Sequence, residues 1–367
     1  MVRAPFERKD REVATKKVKI GFVGVGSMGQ CAHLKNYAAL HECEVVALAE
    51  LREELGRRVA ARYGVARVYR DHEELLANEE LDGIVATLPF TRHGLIISEL
   101  LKAGRPVFIE KPLAGSVQVG EKIVQAAREN GTWVMVGYHK RSDPATAWAG
   151  AEIERLRGSG ELGAMRYVRI LIAAGDWVAG GFSDLIQTGE KLPALPQDPA
   201  PPDMTEHTHG TYLGFVNYYI HQVNLMRFLL GEPYRVAHAD ASGTVLSVQG
   251  RSGLAGVIEM SPYATTLSWE ESALVAFEHG YVRLALPAPL ALNRPGSVEV
   301  LSDPANGTAP LLRRPHLPSV HAMRQQAANF VAAIRGEAQP PCDAREALED
   351  LRVARDYVRA LELSRAP

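Results

Sequence analysis

The run Val18-Lys-Ile-Gly-Phe-Val23 leads directly into Gly24-Val-Gly26-Ser-Met-Gly29, and this junction does most to narrow the folds open to the chain. A strand that ends in G-x-G-x-x-G and continues as a helix uses each glycine differently. Gly24 permits a tight turn, Gly26 lets a bound molecule approach the backbone, and Gly29 lets helix pack on strand. The new helix then presents unpaired N–H groups, which suit a pyrophosphate. The next strand, EVVALAE, ends at Glu50, about 21 residues beyond Gly29 and near the spacing of an acid that hydrogen-bonds a ribose. Gly24, Gly26, Ser27, Met28, Gly29 and Glu50 are therefore expected to bind a dinucleotide. A carboxylate there repels a 2'-phosphate, which favours NAD; Arg52 lies close enough to soften that repulsion and leave NADP as the lesser choice.

The strand–helix alternation continues through DGIVATLP, GLIISELLKAG, PVFIEKP, GEKIVQAAREN and TWVMVGY. Short apolar runs separated by amphipathic helices predict an α/β, doubly wound parallel sheet over residues 17–138, behind a charged arm at 1–16. From His139 onward a helix over PATAWAGAEIERL and strand-like runs such as MRYVRILIA and GLAGVIEM predict a second, α+β domain over 139–367, with an open and mostly antiparallel sheet. Two helices close the chain and are expected to lean on the first domain. Residues 190–210, EKLPALPQDPAPPDMTEHTHG, are too rich in proline for helix or central strand. A loop of that length inside a domain is expected at the mouth of a site.

With 46% hydrophobic and 23% charged residues the chain has ordinary globular composition. A formal charge of -2 provides no footprint for nucleic acid or anionic lipid. The first residues lack the apolar core of a secretory signal, and no uncharged apolar run is long enough to span a bilayer, so a soluble, cytoplasmic protein is expected. Cys31, Cys43 and Cys342 form no paired C-x-x-C spacing and are expected to be reduced and structural.

The fourth strand is followed by Leu88, Pro89 and His93, and the fifth by Glu110 and Lys111. Ends of those strands form the ligand crevice of such a sheet. Lys111 precedes a proline, which holds it in extended backbone. The stretch Asn217-Tyr-Tyr-Ile-His-Gln-Val-Asn224 reads as one helix that puts Asn217, His221 and Asn224 on a shared face.

GVGSMG, Glu50, TLPFTRH, the Glu110–Pro112 triplet EKP, GYHKRSDP and NYYIHQVNLMRFLLGEP together resemble the Gfo/Idh/MocA family of oxidoreductases, over nearly the whole chain. The resemblance implies a Rossmann domain, a second domain for substrate and oligomer contacts as a homodimer or homotetramer, and NAD(P)-dependent oxidation of a secondary alcohol on a sugar or cyclitol. It implies Lys111 and His221 as the catalytic pair, and Tyr138 and Arg141 on the substrate side of the cleft. Lys140, His207, His209 and Tyr218 are expected there too. Relatives commonly carry aspartates where this chain has Asn217 and Asn224, so His221 lacks its usual carboxylate. A pocket offering Lys111, Lys140, Arg141, His207, His209 and His221 without those acids is also hospitable to an anionic sugar. The histidines at 207 and 209 are expected to bind no metal, since they lack a firm scaffold. Two rivals to a dehydrogenase use the same equipment: a redox-neutral glycosidase that borrows NAD, and a noncatalytic NAD-binding regulator.

Overall fold

Strand β1 (Val18–Val23) runs nearly fully buried through the centre of a six-stranded parallel sheet. Its companions are β2 (Cys43–Ala49), β3 (Arg67–Tyr69), β4 (Gly83–Ala86), β5 (Val107–Ile109) and β6 (Val134–Val136), in the order β3-β2-β1-β4-β5-β6. Burial on both faces explains why these strands read as continuous apolar runs. The order reverses beside β1, which places a crevice at the carboxyl ends of β1 and β4. The structure, a computed structural model, describes residues 16–303 and 306–366, so the expected charged arm falls outside it except for Lys16.

After the glycine turn a segment with π geometry, Gly29–Leu34, runs into α1 (Lys35–Ala38). The crossovers that follow are α2 (Glu53–Tyr63), α3 (His72–Asn78), α4 (His93–Leu101) and α5 (Val117–Glu129). Local chemistry sets their ends. Asp71 accepts from the Glu74 N–H and Ser116 from the Val119 N–H, satisfying donors that a helix start leaves open.

Beyond the turn His139–Ser142, Asp143 and Pro144 start α6 (Pro144–Ser159), and β7 (Met165–Ala174) enters a second sheet. After α7 (Glu206–Tyr218) and α8 (Ile220–Leu230) come β8 (Tyr234–Ala239), β9 (Val245–Gly250), β10 (Ala255–Ala264), β11 (Glu271–Phe277), β12 (Gly280–Leu286), β13 (Ser297–Ser302) and β14 (Leu311–Arg313). The eight strands lie in the order β14-β13-β12-β11-β7-β10-β9-β8. Every neighbouring pair is antiparallel except β10 with β7, among the described residues. Helices α6 and α8 pack against this sheet. The closing helices, α9 (Ala322–Ile334) and α10 (Ala344–Arg365), bridge the two halves: α9 meets α1, and α10 meets both α5 and α8.

Residues 175–205, between β7 and α7, form neither helix nor strand. They do not hang free. The Gln30 side chain donates to the Ile186 carbonyl and accepts from the Ile186 N–H, at 3.2 and 3.0 Å, tying this segment to the first sheet's glycine turn.

Candidate active site

One cavity of about 750 Å³ runs along the carboxyl ends of the parallel strands and under the second sheet. At one end lies the glycine turn. Gly24 has φ +84°, and a Cβ there would stand 2.9 Å from the Thr87 carbonyl oxygen. A Cβ on Gly29 would stand 2.6 Å from both the Gly24 carbonyl oxygen and Thr87 Oγ1, so helix, turn and β4 close up only around glycine. At Gly26 the nearest atom to such a Cβ is Arg52 Nη2 at 3.9 Å, which leaves the backbone open toward the cavity. These three features fit a pyrophosphate against the turn. Ser27, Met28, Leu88 and Pro89 line the same end.

Glu50 also lines the cavity, at the end of β2, and is 5% exposed. Its carboxylate accepts from the Val25 N–H at 3.0 Å, from Arg52 Nε at 2.7 Å and from Arg52 Nη2 at 3.1 Å. Arg52 is thus turned onto Glu50 and is not a free cation at this position.

Lys111 and His221 come together at the other end, from opposite halves of the chain. The Lys111–Pro112 peptide is cis. Lys111 Nζ donates to the Asn217 carbonyl at 2.6 Å, which leaves two of its three donors for other partners. Burial lowers the Lys111 pKa, partly offset by Glu110 and reinforced by Lys140. Glu110 itself meets His33 Nε2 at 2.5 Å and holds the Lys111 N–H at 3.1 Å; despite its burial, those contacts keep its carboxyl below the ordinary value. It therefore braces Lys111 from behind.

Among the described residues, no carboxylate meets the His221 ring, and its buried Nδ1 has no hydrogen-bond partner. Burial, followed by His139, Lys140 and Lys111, holds its pKa well below the usual imidazole value. The ring is gripped by aromatic edges, from His139 with centroids 4.5 Å apart and from Tyr138 at 5.8 Å.

Several sequence expectations need correction here. NYYIHQVN is not one helix: α7 ends at Tyr218 and α8 begins at Ile220, with Tyr219 capping both. Asn217, Tyr218 and His221 still line the cavity, but Asn224 does not. Asn224 is fully buried and donates to Asp350 Oδ2 at 2.8 Å, because α8 turns that side toward α10. Arg141 also points away, pairing with Glu346 at 2.5 Å and lying over the Phe228 ring. Tyr138 is buried behind His221 and does not line the cavity.

His207 and His209 stand on the first turns of α7, outside the cavity; His207 is exposed and His209 Nε2 lies 3.4 Å from the Gly115 carbonyl oxygen. His93 is likewise displaced, its Nδ1 held by the Leu113 carbonyl at 3.0 Å in the interior. Lys140 does line the cavity but is paired with buried Glu271, on which Gln222 also donates, at 2.6 Å. His139, Gln222, Glu271 and Trp269 at this end were not singled out from sequence. Only His139 carried a signal, as the histidine inside GYHKRSDP next to Lys140.

Residues 18–138 match the Gfo/Idh/MocA family, described as an oxidoreductase family with an NAD-binding Rossmann fold. Along 357 residues, 93% of each sequence, the chain is 21% identical to the uncharacterized oxidoreductase YrbE of Bacillus subtilis (strain 168). It is 24% identical over 260 residues, 67% of each sequence, to the scyllo-inositol 2-dehydrogenase (NAD(+)) of the same organism. The solved structure of aldose-aldose oxidoreductase from Caulobacter crescentus shares the fold, with a TM-score of 0.69 at 17% identity, over 95% of this chain and 98% of that one.

Proposed function

The chain belongs to the Gfo/Idh/MocA oxidoreductases, and from that premise we propose that it oxidises a secondary hydroxyl on the ring of a neutral sugar, sugar derivative or cyclitol, using NAD. The observation that carries this is the convergence of Lys111 and His221 on the cavity that also holds the glycine turn and Glu50. A bound nicotinamide supplies the hydride acceptor. Lys111 donates a hydrogen bond to the reacting hydroxyl oxygen, stabilising charge that develops there, while the Asn217 carbonyl and Glu110 fix its direction. His221, neutral and facing the same space, takes the hydroxyl proton. Few uncompensated cations remain to favour an anionic substrate. Arg141, His207 and His209 lie outside the cavity, and Lys140 is neutralised by Glu271.

The test is oxidation of a panel of neutral cyclitols and aldoses against the matching acids, with NADH absorbance and product followed together. Lys111→Met is expected to lower kcat about 100-fold or more. Near-normal turnover in that variant would remove Lys111 from the mechanism.

A second reading, redox-neutral cleavage of a glycoside, draws support from residues 175–205, which wall the cavity with Trp177, Leu192 and Leu195; a reaction that returns its hydride needs no exchange of a dinucleotide held there. Oxidation at C3 acidifies the C2 proton, the C1 substituent leaves, water adds, and the hydride returns. Aglycone release with no net NADH would establish this reading over the first.

A further inference from the structure

Helices α2 and α4 begin directly after β2 and β4, the strands on either side of β1, and each leaves backbone N–H groups open at its first turn. Both starts are satisfied by carboxylates from the segment that joins β7 to α7. Glu190 accepts from the Glu54 N–H at 3.0 Å and the Leu55 N–H at 2.9 Å. Asp198 accepts from the Gly94 N–H at 2.9 Å and the Leu95 N–H at 3.1 Å. Around them the Asp198 N–H donates to the Thr91 carbonyl at 2.7 Å and Arg92 Nε to the Pro196 carbonyl at 3.0 Å. A stretch of the second half of the chain is thus stapled across the first half at two points. Prolines at 193 and 196 stiffen the span and reduce what ordering it costs.

Between the staples, Leu192 and Leu195 line the cavity. Leu192 is 47% exposed, an apolar surface with nothing over part of it. The ends of β2 and β4 bracket the place where an adenosine sits when Glu50 holds its ribose. The two leucines line the same cavity as Glu50 and the glycine turn.

Resting on the dinucleotide reading of this cavity, we propose that residues 187–198 are part of the cofactor site. Leu192 and Leu195 close over the adenosine half, the Glu190 and Asp198 staples keep the segment shut, and the dinucleotide is exchanged far more slowly than substrate. Release requires both carboxylates to leave their helix starts.

The experiment measures NADH release, by mixing the protein–NADH complex with excess NAD and following loss of bound-NADH fluorescence. The double variant Glu190→Ala/Asp198→Ala is expected to release NADH about 10-fold faster or more than the unaltered protein. Leu192→Ser/Leu195→Ser leaves the staples in place and is expected to speed release as well. It should weaken ADP-ribose as much as NADH, because the lost contacts are on the adenosine half. Circular-dichroism melting of both variants without cofactor separates these effects from unfolding. Release rates within about twofold of the unaltered protein in both folded variants would overturn the proposal while leaving the dinucleotide site standing. An unaltered protein that binds no NADH would overturn both.

Discussion

The imidazole rings of His139 and His221 meet edge to face, with centroids 4.5 Å apart and an interplanar angle of 74°. Burial depresses both pKa values well below the ordinary one, and Lys140 and Lys111 add to it in each case. His221 is therefore neutral, and ready to accept a proton, below the usual histidine range. The acid limb of kcat/KM is expected below pH 6.5, the ordinary value. The sign for stability is the same: a depressed folded pKa leaves the fold's advantage intact above the unfolded value and erodes it as pH falls toward the folded one. A pH–rate profile with its acid limb at or above the ordinary histidine value would show that His221 is not the base.

Asn217→Asp places a carboxylate on the cavity side of the helix break, near His221 and Lys111. The added charge favours the imidazolium, so the acid limb of activity moves upward. For a neutral polyol KM stays nearly constant. A rise in KM for an acidic sugar, with KM for the neutral polyol unchanged, would instead show that the natural asparagine admits an anion.

NAD is expected to bind more tightly than NADP, since the Glu50 carboxylate lines the cavity that holds the glycine turn and Arg52 is already committed to it. Glu50→Ala removes the repulsion and frees the Arg52 guanidinium at once, so the preference should narrow or reverse. Titration of both reduced cofactors into the two proteins checks this, and an unchanged ratio would exclude Glu50 from the selection.

Lys140 and Glu271 form a buried pair, with side chains 4% and 0% exposed. Lys140→Met strands the Glu271 carboxylate and is expected to cost about 3–5 kcal/mol of stability. Adding Glu271→Gln should restore much of it, and urea midpoints of the single and double variants measure the difference. Equal midpoints for the unaltered protein and Lys140→Met would show that the pair is not stabilised as a unit.

The parallel sheet was legible because its signals are local: Gly24 and Gly29 of GVGSMG meet steric demands within the turn and across to Thr87, Gly26 leaves the backbone open, and Glu50 follows at a set spacing. That Lys111 and His221 would line one cavity was legible through EKP and the NYYIHQVN stretch. What failed was direction. Whether Arg141, His209 or Asn224 faces the cavity depends on Glu346, Gly115 and Asp350, partners far away in sequence. The break at Tyr219 has no proline or glycine to announce it. Over residues 190–205 the prolines foretold an irregular segment, although 206–210 already belong to α7, and the staple to α4 needs Asp198 to find an N–H 104 residues distant.

Asn224 gives the clearest separation between those two kinds of position. Its amide donates to Asp350, a fully buried carboxyl that burial raises to about 6 although Arg227 lies against it at 2.8 Å. Asn224→Asp would put a second acid against the first, and the two cannot both ionise in that space. The new carboxyl then has a folded pKa above its unfolded one, so it binds a proton more readily in the fold. Its destabilisation is small below the unfolded value and grows as pH rises through the folded one. We expect a loss of about 1–3 kcal/mol at neutral pH that shrinks toward pH 5. Substrate KM should stay the same, because this side chain does not line the cavity. Thermal melting across that pH range, set beside KM, decides the matter: an unshifted Tm together with a changed KM would return Asn224 to the substrate side.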